Sequence, residues 1–299
     1  MAASKFLKEI RNKRIGVVFS SGFFSFWAHA GFAKALEKYK IVPQAYSGCS
    51  AGAIVAAFKA TGLETREILE QFQSLNRNMF WDPEVAPRTI GFLFHGLKGF
   101  TGYLRGRKFR RLIKNGLPVK KFQDCDKGLY IVATNLTKNR REVFSKGDIA
   151  RAVHASGAVP LMFRSVKIKE QHYIDGALVD KAPIRVLAER EELDGIIVNY
   201  IKSKSLKKEP NWFLKKRMTP WHIYSHTFDI LRQHDFFNQV EWARERGLKV
   251  WIVSPNLPSM GPFKMSKGMK TFKIGYKSAK KAFKSNEFVS DKKLRSPKV

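Results

Sequence analysis

Twice within its first 62 residues the chain passes from a short apolar run through a turn into a helical pattern, and this repetition restricts its fold more than any other feature. RIGVVF reads as a buried strand, and HAGFAKALEKYK as a helix whose apolar positions Phe32, Ala35, Leu36 and Tyr39 fall on one face. IVPQAYSG reads as a second strand, GCSAG as a tight turn and AIVAAFKATG as a second helix, ended by Gly62. Strand, loop, helix, strand, turn, helix is the opening of an α/β fold with a central, mostly parallel sheet flanked by helices. GLYIVATNL, REVFS, GIIVNYI and LKVWIVSP supply further strands, VKIKEQHYIDGALVD a hairpin-like pair, and the stretch around TPWHIYSHTFDILRQHDFFNQVEWARERG a long helix. A single domain is expected over residues 1–299, with a core at about 14–285, a helical and basic cap at 64–122 and a loose basic tail at 286–299.

The segment that joins the first strand to the first helix, SSGFFSFWAHAG at 20–31, is uncharged apart from His29 and carries Phe23, Phe24, Phe26 and Trp27. A basic segment, an apolar run and then Ala28-His29-Ala30 imitate a secretion signal with a small-x-small cleavage site. Against that reading, Glu9 interrupts the basic segment, three serines interrupt the apolar run, and the helical pattern continues past the site. No apolar stretch reaches the ~18 residues that span a bilayer as a helix. The two cysteines, Cys49 and Cys125, are too few for a disulfide framework and suit a reducing compartment, so the expected location is the cytoplasm.

Gly48-Cys49-Ser50-Ala51-Gly52 matches G-x-S-x-G at a strand-to-helix turn, where a nucleophile elbow must lie. A serine on so sharp a turn takes strained backbone angles, and glycines two residues to either side remove side chains that would collide as strand and helix pass. The helix that follows directs its N-terminal amides toward developing negative charge. Five-residue patterns of this kind also arise by chance, so the second motif matters. Tyr173-Ile174-Asp175-Gly176-Ala177 places an acid at a strand end with a glycine turn behind it. A serine hydroxyl is a weak nucleophile until a base takes its proton. His172, the histidine nearest the Asp in the chain, precedes it rather than following it as the Ser, acid, His order of α/β-hydrolases requires.

With these residues the chain resembles the patatin-like phospholipases, a family with a Ser–Asp dyad instead of a triad. The likeness runs through IGVVFSSGFFSFWAHAGFAKALEKYKIVPQAYSGCSAGAIVAAF, LYIVATNLTKNRREVFSKGDIARAVHASGAVPLMFRSVKI, HYIDGALVDKAPI and GYKSAKKAF, and is weakest at 64–122 and 200–245. It implies a patatin-like three-layer sandwich, Ser50 as nucleophile and Asp175 as its base, supported by Gly48, Gly52 and Gly176. It also implies a lipid ester as substrate, cleaved through an acyl-serine intermediate in a phospholipase A, lysophospholipase or esterase reaction, with no metal and no cofactor. His29, in an A-H-x-G context, and Asn135, where the family often has Asp, are expected to be structural.

By the same resemblance residues 20–31 supply the oxyanion hole, with the amides of Gly22 and Phe23 as donors. Here the chain departs from the family's G-G-G-x-[RK]-G: it reads Ser21-Gly22-Phe23-Phe24-Ser25-Phe26, keeping only Gly22 and placing Ser25 at the basic position. A positive φ at Phe23 would store about 1–3 kcal/mol, and loss of one oxyanion donor typically lowers the rate about 10²–10³-fold. The alternative is therefore a catalytically weak or inactive relative that serves as an anionic-membrane binding module. The four aromatic residues either line an acyl-chain channel or pack beneath the sheet.

Charge names a class of partner. The chain carries 56 Lys and Arg against 25 Asp and Glu, a net +31, which attracts polyanions and anionic lipid surfaces. RGRKFRRLIK at 105–114 and KSKSLKKEPNWFLKKR at 202–217 interleave cations with Phe109, Leu112, Trp212 and Phe213, a mixture that suits either peripheral docking at an anionic membrane or a plain solvated surface. No helix-turn-helix, zinc or RNA-recognition signature accompanies the charge, so nucleic acid is not expected as a partner. His222 and His226 lie one helical turn apart without the acid of H-E-x-x-H between them and read as ordinary surface or packing residues.

Overall fold

The computed structural model describes residues 4–83, 101–203, 205–207 and 219–295. His95, the Trp212–Phe213 part of the second basic stretch and the side chain of His222 lie outside the described residues. In chain order the helices are α1 (Lys5–Glu9), α2 (Phe26–Lys38), α3 (Ala51–Ala60), α4 (Thr65–Gln73), α5 (Arg107–Gly116), α6 (Ile149–Ser156), α7 (Ile184–Arg190), α8 (Pro220–Glu245), α9 (Gly268–Ser285) and α10 (Asp291–Arg295). The strands are β1 (Ile15–Phe19), β2 (Ala45–Cys49), β3 (Gly102–Leu104), β4 (Gly128–Asn135), β5 (Arg140–Phe144), β6 (Leu161–Phe163), β7 (Val166–Ile168), β8 (Gln171–Asp175), β9 (Gly195–Asn199) and β10 (Lys249–Val253).

The main sheet has the order β10-β9-β1-β2-β4-β8-β7, with β5 paired to β4. The strands from β10 to β4 run parallel, while β8, β7 and β5 are antiparallel additions at one side. β1 and β9 are buried at every residue, as expected of strands covered on both faces. Successive side chains of β1 point to opposite faces. Val17 and Phe19 join a core with α2, α3 and α9, whereas Val18 joins a second core with Ile184 and Leu187 of α7 and Phe236, Phe237 and Val240 of α8. The result is a central sheet between two helical layers, the expected α/β architecture.

The pairing along β4 positions the site. Residues 128–132 of β4 pair with β2, ending at Cys49↔Val132. The next residue along, Ala133, pairs with Asp175 at the end of β8, which runs in the opposite sense. β5 pairs with residues 131–135 of β4 and takes its other edge, so β2 and β8 share one edge and meet end to end. The residue after Cys49 is Ser50 and the residue after Asp175 is Gly176, so the two motifs, 125 positions apart in the chain, are brought together by backbone hydrogen bonding. Gly176 is required at this junction: a Cβ there would lie 2.1 Å from the Val132 carbonyl oxygen.

Three segments differ from expectation. First, α2 begins at Phe26 rather than near His29, so Phe26 and Trp27 are helical. Second, the proposed cap is not uniform, because Ile68 and Phe72 of α4 and Ile113 of α5 belong to the main core. Third, residues 286–295 are not loose. Val289 donates its amide to Ile252, Leu294 of α10 is buried with the α8 core, and α10 is tied to α8 by Arg244–Asp291 at 2.6 Å and Arg295–Glu241 at 3.2 Å. A single buried leucine in a basic, polar segment leaves no periodicity to read. Among the described residues, no helix is long and apolar enough to cross a membrane.

Candidate active site

β2 ends in a turn on which Ser50 has φ 53° and ψ −120°, a conformation that β-carbon sterics disfavour by about 1–3 kcal/mol. The surroundings hold it there. The Ser50 amide donates to Ser156 Oγ at 2.8 Å, and α3 starts at once, its second residue, Gly52, packed against the end of β1. A Cβ on Gly52 would sit 2.2 Å from the Phe19 carbonyl oxygen, and one on Gly48 would sit 2.7 Å from the Gly52 carbonyl oxygen. Both flanking glycines are thus demanded by close backbone approach, as the motif's spacing predicts.

Ser50 Oγ donates a hydrogen bond to Asp175 Oδ2 at 2.6 Å, and Oδ1 of the same carboxylate accepts from the Ala177 amide at 2.8 Å. Asp175 is buried. Burial pushes its pKa above the ordinary carboxylate value, opposed by the Ser50 and Ala177 hydrogen bonds and by the positive charge of Arg232. A carboxylate made more basic by desolvation, bonded directly to a serine hydroxyl on a strained turn, is equipped to remove that hydroxyl's proton. Ser50 is the N-cap of α3, whose positive dipole end favours negative charge in its neighbourhood.

Residues 20–25 wrap the other side. Ser21 donates its amide to the Lys181 carbonyl at 2.7 Å, Ser20 Oγ accepts from the Ile201 amide at 2.8 Å, and the Gly22 carbonyl accepts both the amide and the hydroxyl of Ser25, at 2.8 and 2.6 Å. In a trans peptide the N–H points opposite to the C=O, so anchoring the Gly22 carbonyl on Ser25 also fixes the direction of the Phe23 amide. The positive φ of this loop falls on Phe24, at 55°, and not on Phe23. His29 is buried beneath the loop, with Nε2 donating to the Ser20 carbonyl at 2.9 Å and Nδ1 accepting from Asn199 Nδ2 at 2.9 Å. Burial lowers its pKa to about 3, so it remains neutral and acts as a strut. Asn135 is likewise structural: its Nδ2 donates to Glu142 and Gln171 and its Oδ1 accepts the Lys138 amide, bridging β4, β5, β8 and the turn between the first two.

Two cavities meet at Ser50. One is apolar, lined by Phe24, Phe26, Ile54, Phe58, Phe72 and, from α5, Leu112. The other is the more polar of the two, with Gly22, Asp175, Lys181, Lys202 and Arg232 beside Leu178, Ile201, Leu257 and Met260; Phe23 and Val159 border both. The aromatic loop therefore divides its roles. Phe23, Phe24 and Phe26 line the apolar cavity, whereas Trp27 packs against Phe72, at 5.4 Å between ring centroids, and over Gly268. Ser156, Lys181 and Arg232 escaped the sequence reading, which noted Ser25 only as a departure from the family's basic position and Lys202 only as the first cation of the 202–217 stretch, where the structure buries it; Lys181 lies close behind the D-G-A motif, and nothing in the pattern of α8 distinguishes Arg232.

This is an α/β protein with a serine at a strand-to-helix elbow, hydrogen-bonded to a buried aspartate. The sequence profile of the family "Patatin-like phospholipase" matches residues 17–188, more than half of the chain, and the chain belongs to that family. Lysophospholipase NTE1 of Cryptococcus neoformans var. neoformans is 26% identical over 199 residues, covering 66% of this chain and 12% of the relative. The uncharacterized NTE family protein Rv2565 of Mycobacterium tuberculosis is 22% identical over 191 residues, covering 64% of this chain and 30% of the relative. The chain thus spans less than a third of the length of either relative. Among solved structures, VipD from Legionella pneumophila aligns with 91% of this chain and 67% of its own at 14% identity and a TM-score of 0.47. The type III effector ExoU of Pseudomonas aeruginosa aligns with 90% of this chain and 53% of its own at 16% identity and a TM-score of 0.45.

Proposed function

We propose that this chain is a serine acyl hydrolase that cleaves carboxylic ester bonds of lipids, in a reaction of phospholipase A, lysophospholipase or esterase type. The observation that carries the reading is the 2.6 Å bond from Ser50 Oγ to Asp175 Oδ2 at the point where an apolar and a polar cavity meet. The acyl chain occupies the apolar cavity and the alcohol portion the polar one. Asp175 takes the Ser50 proton as Oγ attacks the ester carbonyl, and the amides of Gly22 and Phe23 receive the oxyanion. The protonated Asp175 then gives its proton to the departing alcohol, leaving acyl-Ser50. Water is deprotonated by the same carboxylate, attacks the acyl group and releases the fatty acid. No metal or cofactor enters the scheme. A fluorophosphonate probe is expected to label wild-type protein at Ser50; absence of labelling together with no hydrolysis of short- or long-chain esters would overturn the reading.

Ser25 acts here as a positioning residue through the Gly22 carbonyl. Ser25→Ala is expected to lower kcat about tenfold with little change in KM, less than the 10²–10³-fold loss of a whole donor, and Ser25→Thr to restore it. An equal rise in KM with kcat intact would remove Ser25 from this role.

The chain is further proposed to work at an anionic membrane surface. On α5, Arg107, Lys108, Arg110, Arg111 and Lys114 are exposed, while Phe109 is half-buried and Leu112 turns to the apolar cavity. Those cations face solvent on the helix whose Leu112 and Ile113 line the apolar cavity, so binding to phosphatidylserine-containing vesicles is expected to exceed binding to neutral vesicles and to weaken with salt. Sedimentation that ignores both salt and lipid charge would refute this.

A further inference from the structure

The apolar cavity has a direction and an end. Ser50 caps α3, and the α3 residues that line the cavity are Ala51, Ile54 and Phe58, spaced so that they share one face of the helix. The cavity therefore runs from Ser50 along α3 as far as Phe58. There it meets Phe72 of α4, at 6.1 Å between ring centroids, and Gly116 at the end of α5, where a Cβ would lie 3.3 Å from Phe58 Cζ and 2.2 Å from Gln71 Oε1. Gln71 of α4 donates from Nε2 to the Gly116 carbonyl at 3.0 Å and so ties α4 to α5 at this end. Among the described residues, Ser50 and Gln71 supply the only oxygen- or nitrogen-bearing side chains of the lining. One marks the mouth of an otherwise apolar slot and the other its far wall.

The helix supplies a length scale. From Ser50 to Phe58 an α-helix rises about 12 Å, and a helical side chain leans back toward the N-terminus, which leaves about 10–12 Å between the serine and the Phe58 ring. An extended alkyl chain advances about 1.3 Å per carbon, the projection of a carbon–carbon bond of roughly 1.5 Å at a tetrahedral angle. We propose that α3 measures the acyl chain, so that the cavity takes acyl groups of about eight to ten carbons, with Phe58 and the Gln71–Gly116 hydrogen bond as the stop. The proposal rests on the hydrolase reading for the place of the ester at Ser50. A longer chain has to part Gln71 from Gly116 and press hydrocarbon against the freed amide and carbonyl, which offsets what one or two further methylenes contribute. Phe58 and Gln71 are therefore specificity-determining residues, and the substrate class is a medium-chain acyl ester in preference to a long-chain one.

The test measures binding to the full Ser50→Ala chain, so that it does not depend on turnover. Calorimetric titrations compare methyl hexanoate, octanoate, decanoate and dodecanoate, each below its solubility limit. Affinity is expected to rise about fourfold per added carbon up to octanoate or decanoate, the effect of burying one methylene, and to level off or fall at dodecanoate. Adding Gln71→Ala removes the stop and should carry the rise on to dodecanoate. Adding Ile54→Phe instead fills the slot one turn from Ser50 and should end the rise at hexanoate. Should the buried Ile54→Phe change prevent folding, Gln71→Ala, at a half-buried position, still decides. An unbroken rise through dodecanoate in Ser50→Ala, or a limit that stays in place after Gln71→Ala, would overturn the proposal. A Ser50→Ala chain that shows the limit, beside a wild type that no fluorophosphonate labels, would retain the measured slot and reject the hydrolase. A labelled wild type whose Ser50→Ala chain shows no limit would do the reverse.

Discussion

Ser50→Ala is expected to lower ester hydrolysis by about four to six orders of magnitude, and Asp175→Asn by nearly as much, the range seen when one member of a serine hydrolase's catalytic unit is removed. The two carboxylate oxygens of Asp175 are already committed, Oδ2 to Ser50 and Oδ1 to the Ala177 amide, and among the described residues no histidine is hydrogen-bonded to Ser50 to replace it. Stability should move the other way in the Asp variant. The folded-state pKa of Asp175 is raised by burial, so the protonated carboxyl is the form that folding favours. Its contribution is fully present below the carboxyl's unfolded pKa and is lost as pH rises through the folded value. At neutral pH the ionised Asp175 is therefore a destabilising group, and the neutral Asn is expected to melt at or above the wild-type temperature while remaining inactive. The same shift governs the rate: kcat/KM should rise with pH through an inflection above the ordinary aspartate range, because only the ionised carboxylate can accept the proton. Retained activity in Asp175→Asn, or loss of activity matched by a lower melting temperature, would show that Asp175 is a structural acid.

The elbow and the sheet were legible because each rests on local chemistry. IGVVF and residues 195–198, GIIV, are apolar throughout since both sheet faces are covered, and Gly48 and Gly52 are dictated by strand–helix clearance. The pairing of Ser50 with Asp175 was legible only through family resemblance, because the end-to-end meeting of β2 and β8 along β4 is a register that no local pattern encodes. Residues 20–25 show a different limit. Their departure from the glycine-rich pattern suggested strain at Phe23, yet a turn anchored on Ser25 moves the left-handed residue to Phe24. The cations of the polar cavity were hidden by composition: in a chain with 56 Lys and Arg, three that face inward cannot be told from the rest by periodicity. Phe109 and Leu112 had a similar ambiguity, and α5 resolves it by turning its basic face outward and Leu112 toward the apolar cavity.

Gly52→Val is expected to abolish recovery of folded protein, and Gly52→Ala to destabilise by at least about 3 kcal/mol, the upper end of what overpacking usually costs. The obstacle is backbone: a Cβ at Gly52 meets the Phe19 carbonyl oxygen at 2.2 Å and that of Ser20 at 2.6 Å, and neither can rotate away as a side chain would. β1 is the strand at the centre of the parallel sheet, held by β9 on one side and β2 on the other, so relief must come from moving α3. Moving α3 shifts Ser50, whose hydroxyl lies within 2.6 Å of Asp175, and any Gly52→Ala protein that folds should also lose fluorophosphonate reactivity. Gly261→Ala is the matched control, since a Cβ there meets only Phe23 Cε1 at 3.6 Å, an ordinary contact that should leave the melting temperature nearly unchanged. Chemical denaturation of the two alanine variants discriminates the readings. If Gly52→Ala unfolds with wild-type stability, the close approach of α3 to β1 is not what demands this glycine, and the G-x-S-x-G spacing loses its physical cause. If it unfolds early and reacts slowly while Gly261→Ala does neither, one steric constraint accounts for both the fold at this corner and the placement of the nucleophile.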